Sequence, residues 1–235
     1  MLSTQIQDEL QTLTRPDKAI FLPYFFKTGK GEYAEGDKFI GVVVPDQRSV
    51  ARKHFKQASL DDVQKLLDSP IHEHRLTGLI ILTYKFEKGD NAERKLIYDF
   101  YLKNTRAINN WDLVDCSAHK IVGQHLIDKD RSILYKLAHS KNLWEQRIAI
   151  VSTFAFIRLK DFEDCLNLAE IFLTHEHDLI HKAVGWMLRE VGKKDEFVLV
   201  SFLNPNYKKM PRTMLRYAIE KFPEQRRILY LKGLI

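Results

Sequence analysis

"LWEQRIAIVSTFAFIR", residues 143–158, sets one arginine, Arg147, just before a long run of apolar residues. Three other stretches share this design, in which a basic residue precedes an apolar stripe. They are "IHEHRLTGLIILTYKF" (71–86), "LIHKAVGWMLREVG" (179–192) and "RTMLRYAIEKFP" (212–223). Apolar residues at three- and four-residue spacing are typical of amphipathic helices. The four segments therefore predict helices of one kind, repeated along the chain.

The spacing of the basic residues suggests a repeat. Arg75, Arg147, Lys182 and Arg216 are separated by intervals of 72, 35 and 34 residues. A period of about 36 residues, skipped once, is the length of a two-helix unit in HEAT or armadillo solenoids, in which each unit buries its apolar face against a neighbour. We predict an all-α fold, an α-α superhelix of the HEAT/armadillo-like solenoid class, forming a single C-shaped domain over residues 1–235.

Glycine and proline are sparse, with 10 and 7 in 235 residues. The apolar spacing predicts helices over roughly 2–13, 16–26, 46–56, 59–68, 71–87, 91–103, 110–126, 131–139, 143–159, 161–173, 178–191, 195–203, 210–221 and 224–231. The exception is "TGKGEYAEGDKF", residues 28–39, where Gly29, Gly31 and Gly36 predict a loop.

Composition narrows the class of protein. With 45% hydrophobic and 29% charged residues, the chain has enough apolar residues for a sizeable core. No run reaches the 18 or so uncharged residues that a membrane span needs, so we expect a cytoplasmic, monomeric protein with no membrane partner. Cys116 and Cys165 lack metal or redox spacing and are expected to be reduced thiols. A net charge of +6 favours an anionic partner.

The repeated basic residues have two interpretations. In a right-handed solenoid the second helices of successive units line the concave face, where a stripe of cations would track the phosphates of a duplex. The alternative interpretation is a solvated helix edge with no partner.

One carboxylate interrupts the row of repeated basic residues formed by Arg75, Arg147, Lys182 and Arg216. In "INNWDLVDCSAHKIVG" (108–123), Asp115 takes the position that Arg147 has in the next segment, and it lies one helical turn from Trp111. Trp186 and Arg189 likewise share a helix face. The alternative is structural, since helical tryptophans usually lie in the core and an aspartate near a helix start usually caps it.

These segments carry a resemblance. "NNWDLVD" (109–115), "NLWEQRIAI" (142–150), "HKAVGWMLRE" (181–190) and "GDKFIGVVVPDQRSVAR" (36–52) resemble the AlkD family of DNA-alkylation-repair proteins, which are HEAT-like-repeat glycosylases. The resemblance spans nearly the whole chain. It implies that the substrate is double-stranded DNA bearing cationic alkylpurines such as 3-methyladenine or 7-methylguanine. It implies no metal and no organic cofactor.

Carried over residue by residue, the resemblance makes Asp115 the catalytic carboxylate and Trp111 and Trp186 the aromatic walls beside the deoxyribose of the lesion. Tyr24 or Phe25 would supply a further aromatic from the N-terminal helix. The DNA-binding cations would be Arg147 and Arg189, joined by the basic row of Arg75, Lys182 and Arg216.

Two other functions stay open on the sequence alone. A relative with an altered N-terminal region would bind DNA without catalysis, and a basic solenoid would bind an acidic protein. "HEHDLIH" (175–181) places His177 and His181 at a spacing compatible with zinc. A second "HEH" at 72–74 precedes an equivalent helix, so shared architecture also explains the motif.

Overall fold

The protein, described over residues 1–235 by a computed structural model, is built of α-helices and contains no β-strand. The predicted all-α fold class is confirmed. Packing groups the chain into two compact units, Met1–His125 and Leu126–Ile235. The prediction of one C-shaped domain stays a prediction. None of the helices combines the length and the apolar character that a membrane span requires.

The first unit contains seven α-helices: α1 (Leu2–Thr12), α2 (Pro16–Phe26), α3 (Val44–His54), α4 (Leu60–Leu67), α5 (His72–Lys88), α6 (Asn91–Lys103) and α7 (Trp111–Ala118). A 3-10 turn, Thr105–Ala107, precedes α7, and a π-helical turn, His119–Gly123, continues it.

The second unit contains eight: α8 (Ser132–Ala138), α9 (Leu143–Ser152), α10 (Phe154–Ile157), α11 (Glu163–Ile171), α12 (Asp178–Lys194), α13 (Glu196–Asn206), α14 (Arg212–Ala218) and α15 (Glu224–Lys232). A 3-10 turn, Phe172–Thr174, follows α11.

One predicted helix, 143–159, is broken at Thr153 into α9 and α10. The hydroxyl of Ser152 donates to the carbonyl of Ile148 at 2.6 Å, and that of Thr153 donates to Ile150 at 2.7 Å. Hydroxyls that bond back to the preceding turn compete with the backbone ladder and bend helices. The apolar pattern continues across the break, which is why the spacing of apolar residues did not reveal it.

The predicted loop over 28–39 is confirmed, and hydrogen bonds anchor it near its C-terminal end. Gly31 and Gly36 have φ angles of 79° and 88°, a left-handed conformation that favours glycine. The amide of Lys38 then donates to the carbonyl of Pro70 at 3.1 Å, and the amide of His72 donates to Lys38 at 2.8 Å. The loop is thereby fastened to the first residues of α5.

Helix α5 forms the centre of the first unit. It contacts α3, α4, α6 and α7, and most of its residues are buried, including Leu79–Leu82. Four consecutive apolar residues point in all directions around a helix axis, so neighbouring helices must cover this part of α5 on every side. The start of α5 is consequently enclosed by the loop and by α7, and its polar residues there are buried.

Helix α12 has the same central place in the second unit, where it contacts α9, α13 and α14. It packs tightly against α14 at Gly185, where a Cβ atom would lie 2.5 Å from the carbonyl oxygen of Met214 and 2.5 Å from Cβ of Tyr217. Only a residue without a side chain allows the two helices to approach this closely.

We expect Gly185→Ala to lower the free energy of unfolding by about 1–3 kcal/mol, because overpacking against the α14 backbone outweighs the better helix propensity of alanine. The measurement is urea unfolding followed by circular dichroism. Gly192→Ala on the same helix is the control, since its new Cβ meets the end of the flexible Leu199 side chain. A Gly185→Ala protein as stable as the parent would contradict this packing.

Candidate functional site

Trp111 is the first residue of α7, and its position is set by the residue before it. The buried side chain of Asn110 accepts a hydrogen bond from the Trp111 amide at 2.8 Å. Trp111 is partly exposed, and Asp115, one turn further along α7, is also partly exposed. The two side chains therefore share a helix face that reaches the surface.

The Trp111 ring is packed against aromatic residues of α2. It stacks on Phe26, with ring centroids 5.2 Å apart, and meets Phe25 edge-on at 5.9 Å. Phe25 is 51% exposed, whereas Tyr24 is 81% exposed. Of the two α2 aromatics that the sequence singled out, Phe25 is thus joined to Trp111, and Tyr24 projects into solvent.

A cavity of about 500 Å³ lies beside Trp111. It is bounded by α2, the start of α3 and the first turns of α5 and α7. Apolar and aromatic side chains form most of its wall, with Gln47, His72, Glu73 and Asp112 as polar groups and Lys18 also contributing. A concave apolar pocket of this size with a few convergent polar groups has the character of a small-molecule site.

Four charged side chains, Asp37, His72, Arg75 and Asp112, form a cluster at one side of this cavity. We call it the Asp37 cluster. Asp37 accepts hydrogen bonds from Arg75 at 2.6 Å and from Nδ1 of His72 at 3.2 Å. Nε2 of His72 donates to Asp112 at 2.8 Å. The His72 and Asp37 side chains are only 2% and 4% exposed, so the charges neutralise one another inside the protein.

The His72 imidazole is held in its charged form. Burial opposes the charge, but the carboxylate of Asp112 and the hydrogen bonds to Asp112 and Asp37 outweigh it and raise the pKa of His72 to about 9. Burial likewise opposes the charge on Asp37, yet its bonds to His72 and the charge of Arg75 hold its pKa below the usual value. Both groups are therefore charged at neutral pH.

Sequence reasoning missed this cluster. Its residues come from three distant stretches, "GDKF", "HEHR" and "NNWD", and no spacing rule connects them. The adjacent Glu73 has a structural role too, because its buried carboxylate accepts the amides of Ile40 and Gly41 at 3.1 and 2.7 Å. His74 bonds the Ser69 hydroxyl at 2.9 Å, and burial lowers its pKa to about 4.

The histidines of the second "HEH" motif, at 175–177, also form hydrogen bonds within the protein. His177 precedes α12 and accepts the amide of Leu179 at 3.1 Å, while His175 lies 2.9 Å from the side-chain oxygen of Gln146. The structure contains no group of three or more His, Cys, Asp or Glu side chains placed to hold a metal ion.

Arg75 and Arg147 do not project from their helices towards solvent, as a basic stripe requires. Both are buried, at 5% and 4% exposure. Arg75 donates to the carbonyl of Ser69 as well as to Asp37, and Arg147 donates to the carbonyl of Leu179 at the start of α12. The expectation that these two line an open surface is wrong, because both side chains are buried and their donors are used by backbone carbonyls and, for Arg75, by the buried carboxylate of Asp37.

The other proposed DNA contacts of the second unit reach the surface. Trp186 is partly exposed on α12 and packs against Phe154. Lys182 forms an ion pair with Asp178 at 2.6 Å, and Arg189 donates to Glu220. Arg216, on α14, is exposed. These cations keep the access to solvent that a phosphate contact needs.

Neither cysteine has the character of a nucleophile. Burial raises the pKa of the Cys116 thiol to about 12 and that of the Cys165 thiol to about 12. Only the thiolate is reactive, so both groups are inert at neutral pH. Arg48 and Lys120 lie close enough to Cys116 for their charges to act on it, which places two cations near the α7 surface.

Comparisons with known proteins agree with this all-helical fold. Among curated proteins, none matches the chain. A solved structure described as a predicted DNA alkylation repair enzyme from Enterococcus faecalis is similar, with a TM-score of 0.71 and 14% sequence identity. The similarity covers 92% of this chain and 99% of that chain, which shows a shared fold. Residues 6–222 match the family model described as DNA alkylation repair enzyme. The chain therefore belongs to the DNA alkylation repair enzyme family.

Proposed function

We propose that this protein is a DNA glycosylase that releases cationic alkylpurines, such as 3-methyladenine and 7-methylguanine, from duplex DNA. The observation that carries the proposal is the surface of α7, where Asp115 lies one turn from Trp111 and both side chains are partly exposed. Membership of a DNA alkylation repair family supports DNA as the substrate.

The chemistry suits a single carboxylate. Alkylation of a ring nitrogen makes the base a cationic leaving group, so the bond to the sugar breaks without the protonating acid that ordinary glycosidases require. Positive charge then develops on the deoxyribose. A carboxylate held in place before the reaction stabilises that charge and orients the attacking water. We assign this role to Asp115.

In this proposal the aromatic rings beside Asp115 also stabilise the positive charge that develops on the deoxyribose. The face of an aromatic ring carries negative charge density and attracts a cation. Trp111 is braced by Phe26 and Phe25 at centroid distances of 5.2 and 5.9 Å, so its ring is held without help from the DNA. We propose that Trp111 contacts the deoxyribose and that Phe25, still 51% exposed, extends the aromatic surface.

The second unit contributes its own contacts to DNA in this proposal. Trp186 supplies an aromatic surface, and Lys182, Arg189 and Arg216 bind phosphates. Lys182 and Arg189 each pair with a carboxylate of their own unit. On binding DNA, each would exchange that carboxylate for a phosphate. Arg216 is exposed on α14 and is the simplest phosphate contact to test. Arg75 and Arg147 have no place in the proposal, because both are buried and bonded.

We expect Asp115→Asn to slow release of 7-methylguanine from a methylated duplex by about 10²-fold or more, which is the scale of losing one preorganised electrostatic group. Binding of undamaged duplex should be equal or tighter, since an anion that faces phosphates is removed. The measurements are base release under single-turnover conditions and duplex affinity at one salt concentration.

Asp99→Asn is the matched control, because Asp99 is an exposed carboxylate on α6 that pairs with Lys95. It should leave base release unchanged. Equal release by Asp115→Asn and the parent protein would refute the catalytic assignment. A parent protein that binds duplex DNA but releases no base would instead indicate the non-catalytic DNA-binding function.

We expect Arg216→Ala to weaken binding of damaged and undamaged duplexes alike and to make the slope of log affinity against log salt shallower by about one. The measurement is fluorescence anisotropy over a salt series. Arg106→Ala, at an exposed arginine outside the proposed contacts, is the control and should leave the slope unchanged. An Arg216→Ala slope equal to that of the parent would exclude a phosphate contact at this residue.

A further inference from the structure

The Asp37 cluster is connected directly to the first turn of α7. Nε2 of His72 donates to Asp112 Oδ2 at 2.8 Å, and Asp112 Oδ1 accepts the amide of Leu113 at 2.9 Å. Asp112 follows Trp111 in the chain. The position of His72 therefore restrains the backbone from which the Trp111 ring extends.

A second connection runs through stacked rings. The His72 imidazole stacks on Phe39, with centroids 4.6 Å apart, and lies 5.0 Å from Phe26. Phe26 in turn stacks on Trp111 at 5.2 Å. His72 therefore supports Trp111 both through the α7 backbone and through the Phe26 ring.

The burial of these charges makes their arrangement specific. A buried ion is stable only if its hydrogen-bonding positions are filled, and removing one partner leaves an uncompensated charge. Both imidazole nitrogens of His72 face carboxylates, and Asp37 also lies 3.4 Å from the side-chain amides of Asn109 and Asn110. The cluster thus joins the loop over 28–39, the start of α5 and the residues that open α7.

The geometry points to His72 as a positioning residue for the proposed reaction: its imidazolium bridges Asp37 and Asp112 and so holds Trp111, and with it Asp115 one turn on, in the orientation that the deoxyribose requires. This inference rests on the proposed glycosylase function. His72 itself does not touch the reacting atoms and acts through α7.

The bridge depends on protonation. An imidazolium donates from both nitrogens, whereas a neutral imidazole donates from one and leaves one carboxylate unsupported. Asp37 from the loop, Arg75 from α5 and Asp112 from α7 are the charged groups that face His72, and α2 contributes the uncharged Phe26. Since the pKa of His72 is raised to about 9, the bridge is intact at neutral pH and is lost as the pH rises through about 9.

We expect His72→Gln to release 7-methylguanine about 10-fold or more slowly than the parent protein at neutral pH, because small misplacements of catalytic groups are costly. Affinity for undamaged duplex should stay within about twofold of the parent value, since the phosphate contacts are elsewhere. The ratio of the parent rate to the His72→Gln rate should then shrink as the pH rises through about 9. Taking this ratio at each pH cancels the effect of alkali on the DNA.

His74→Gln is the matched control on the same helix. His74 is also buried, but burial lowers its pKa to about 4, so it carries no charge in this pH range. Its replacement should leave the rate and its pH dependence unchanged. A His72→Gln protein that releases base at the parent rate, or that loses duplex affinity in proportion to its rate, would overturn the positioning role.

A second readout does not depend on catalysis. In a Trp144→Phe, Trp186→Phe background, Trp111 is the remaining tryptophan of the three in the chain. Its emission should change as the pH rises through about 9, and this change should be absent after His72→Gln. Emission that is insensitive to pH in the parent background would overturn the inference. A parent protein that releases no base refutes the proposed function instead, and the emission titration still decides the role of His72.

Asp37→Asn provides the test if His72→Gln does not fold. Without the Asp37 carboxylate the imidazolium loses one of its two anionic partners, so its pKa must fall. The midpoint of the Trp111 emission change should move to lower pH. An unchanged midpoint would show that His72 is not the group that Trp111 senses.

Discussion

The carboxylate of Asp37 is the interaction on which the arrangement around Trp111 depends. It accepts hydrogen bonds from the Arg75 guanidinium at 2.6 Å and from the His72 imidazole at 3.2 Å, both on α5. The Asp37 side chain is almost wholly buried. A carboxylate buried in this way is stable only with its partners in place. The loop before it, the first turns of α5 and α7, and the cavity between them must therefore form together.

The same region shows how one helix gives two carboxylates different roles. Asp112 is 16% exposed and is tied to His72, whereas Asp115 lies one turn after Trp111 on the partly exposed face of α7. Neighbouring acids whose surroundings differ are commonly used for different purposes. In the proposed reaction Asp112 fixes the helix, and Asp115 meets the charge that develops on the sugar.

The repeated basic residues have their own physical explanation. Arg75 and Arg147 occupy corresponding positions before apolar stripes, and both are buried with their guanidinium groups donating to backbone carbonyls. Arginine suits this use because it presents several donors and remains charged when buried. Lys182 and Arg216 precede the two later apolar stripes in the same way, yet they reach the surface. One sequence pattern thus covers an internal hydrogen-bonding role and a surface cation.

The sequence by itself determined the all-α class, the position of nearly every helix and the loop over 28–39, because apolar spacing and glycine placement are local properties. It also placed Trp111 and Asp115 on one helix face, since four residues make about one turn. It did not determine which charges are buried. Asp37, His72 and Asp112 are 35 and 40 residues apart along the chain, and they meet only because the loop and α7 both pack on the start of α5. The break at Thr153 and the burial of Arg75 and Arg147 were likewise decided by tertiary structure, since a side chain's partners depend on which segments the fold brings beside it.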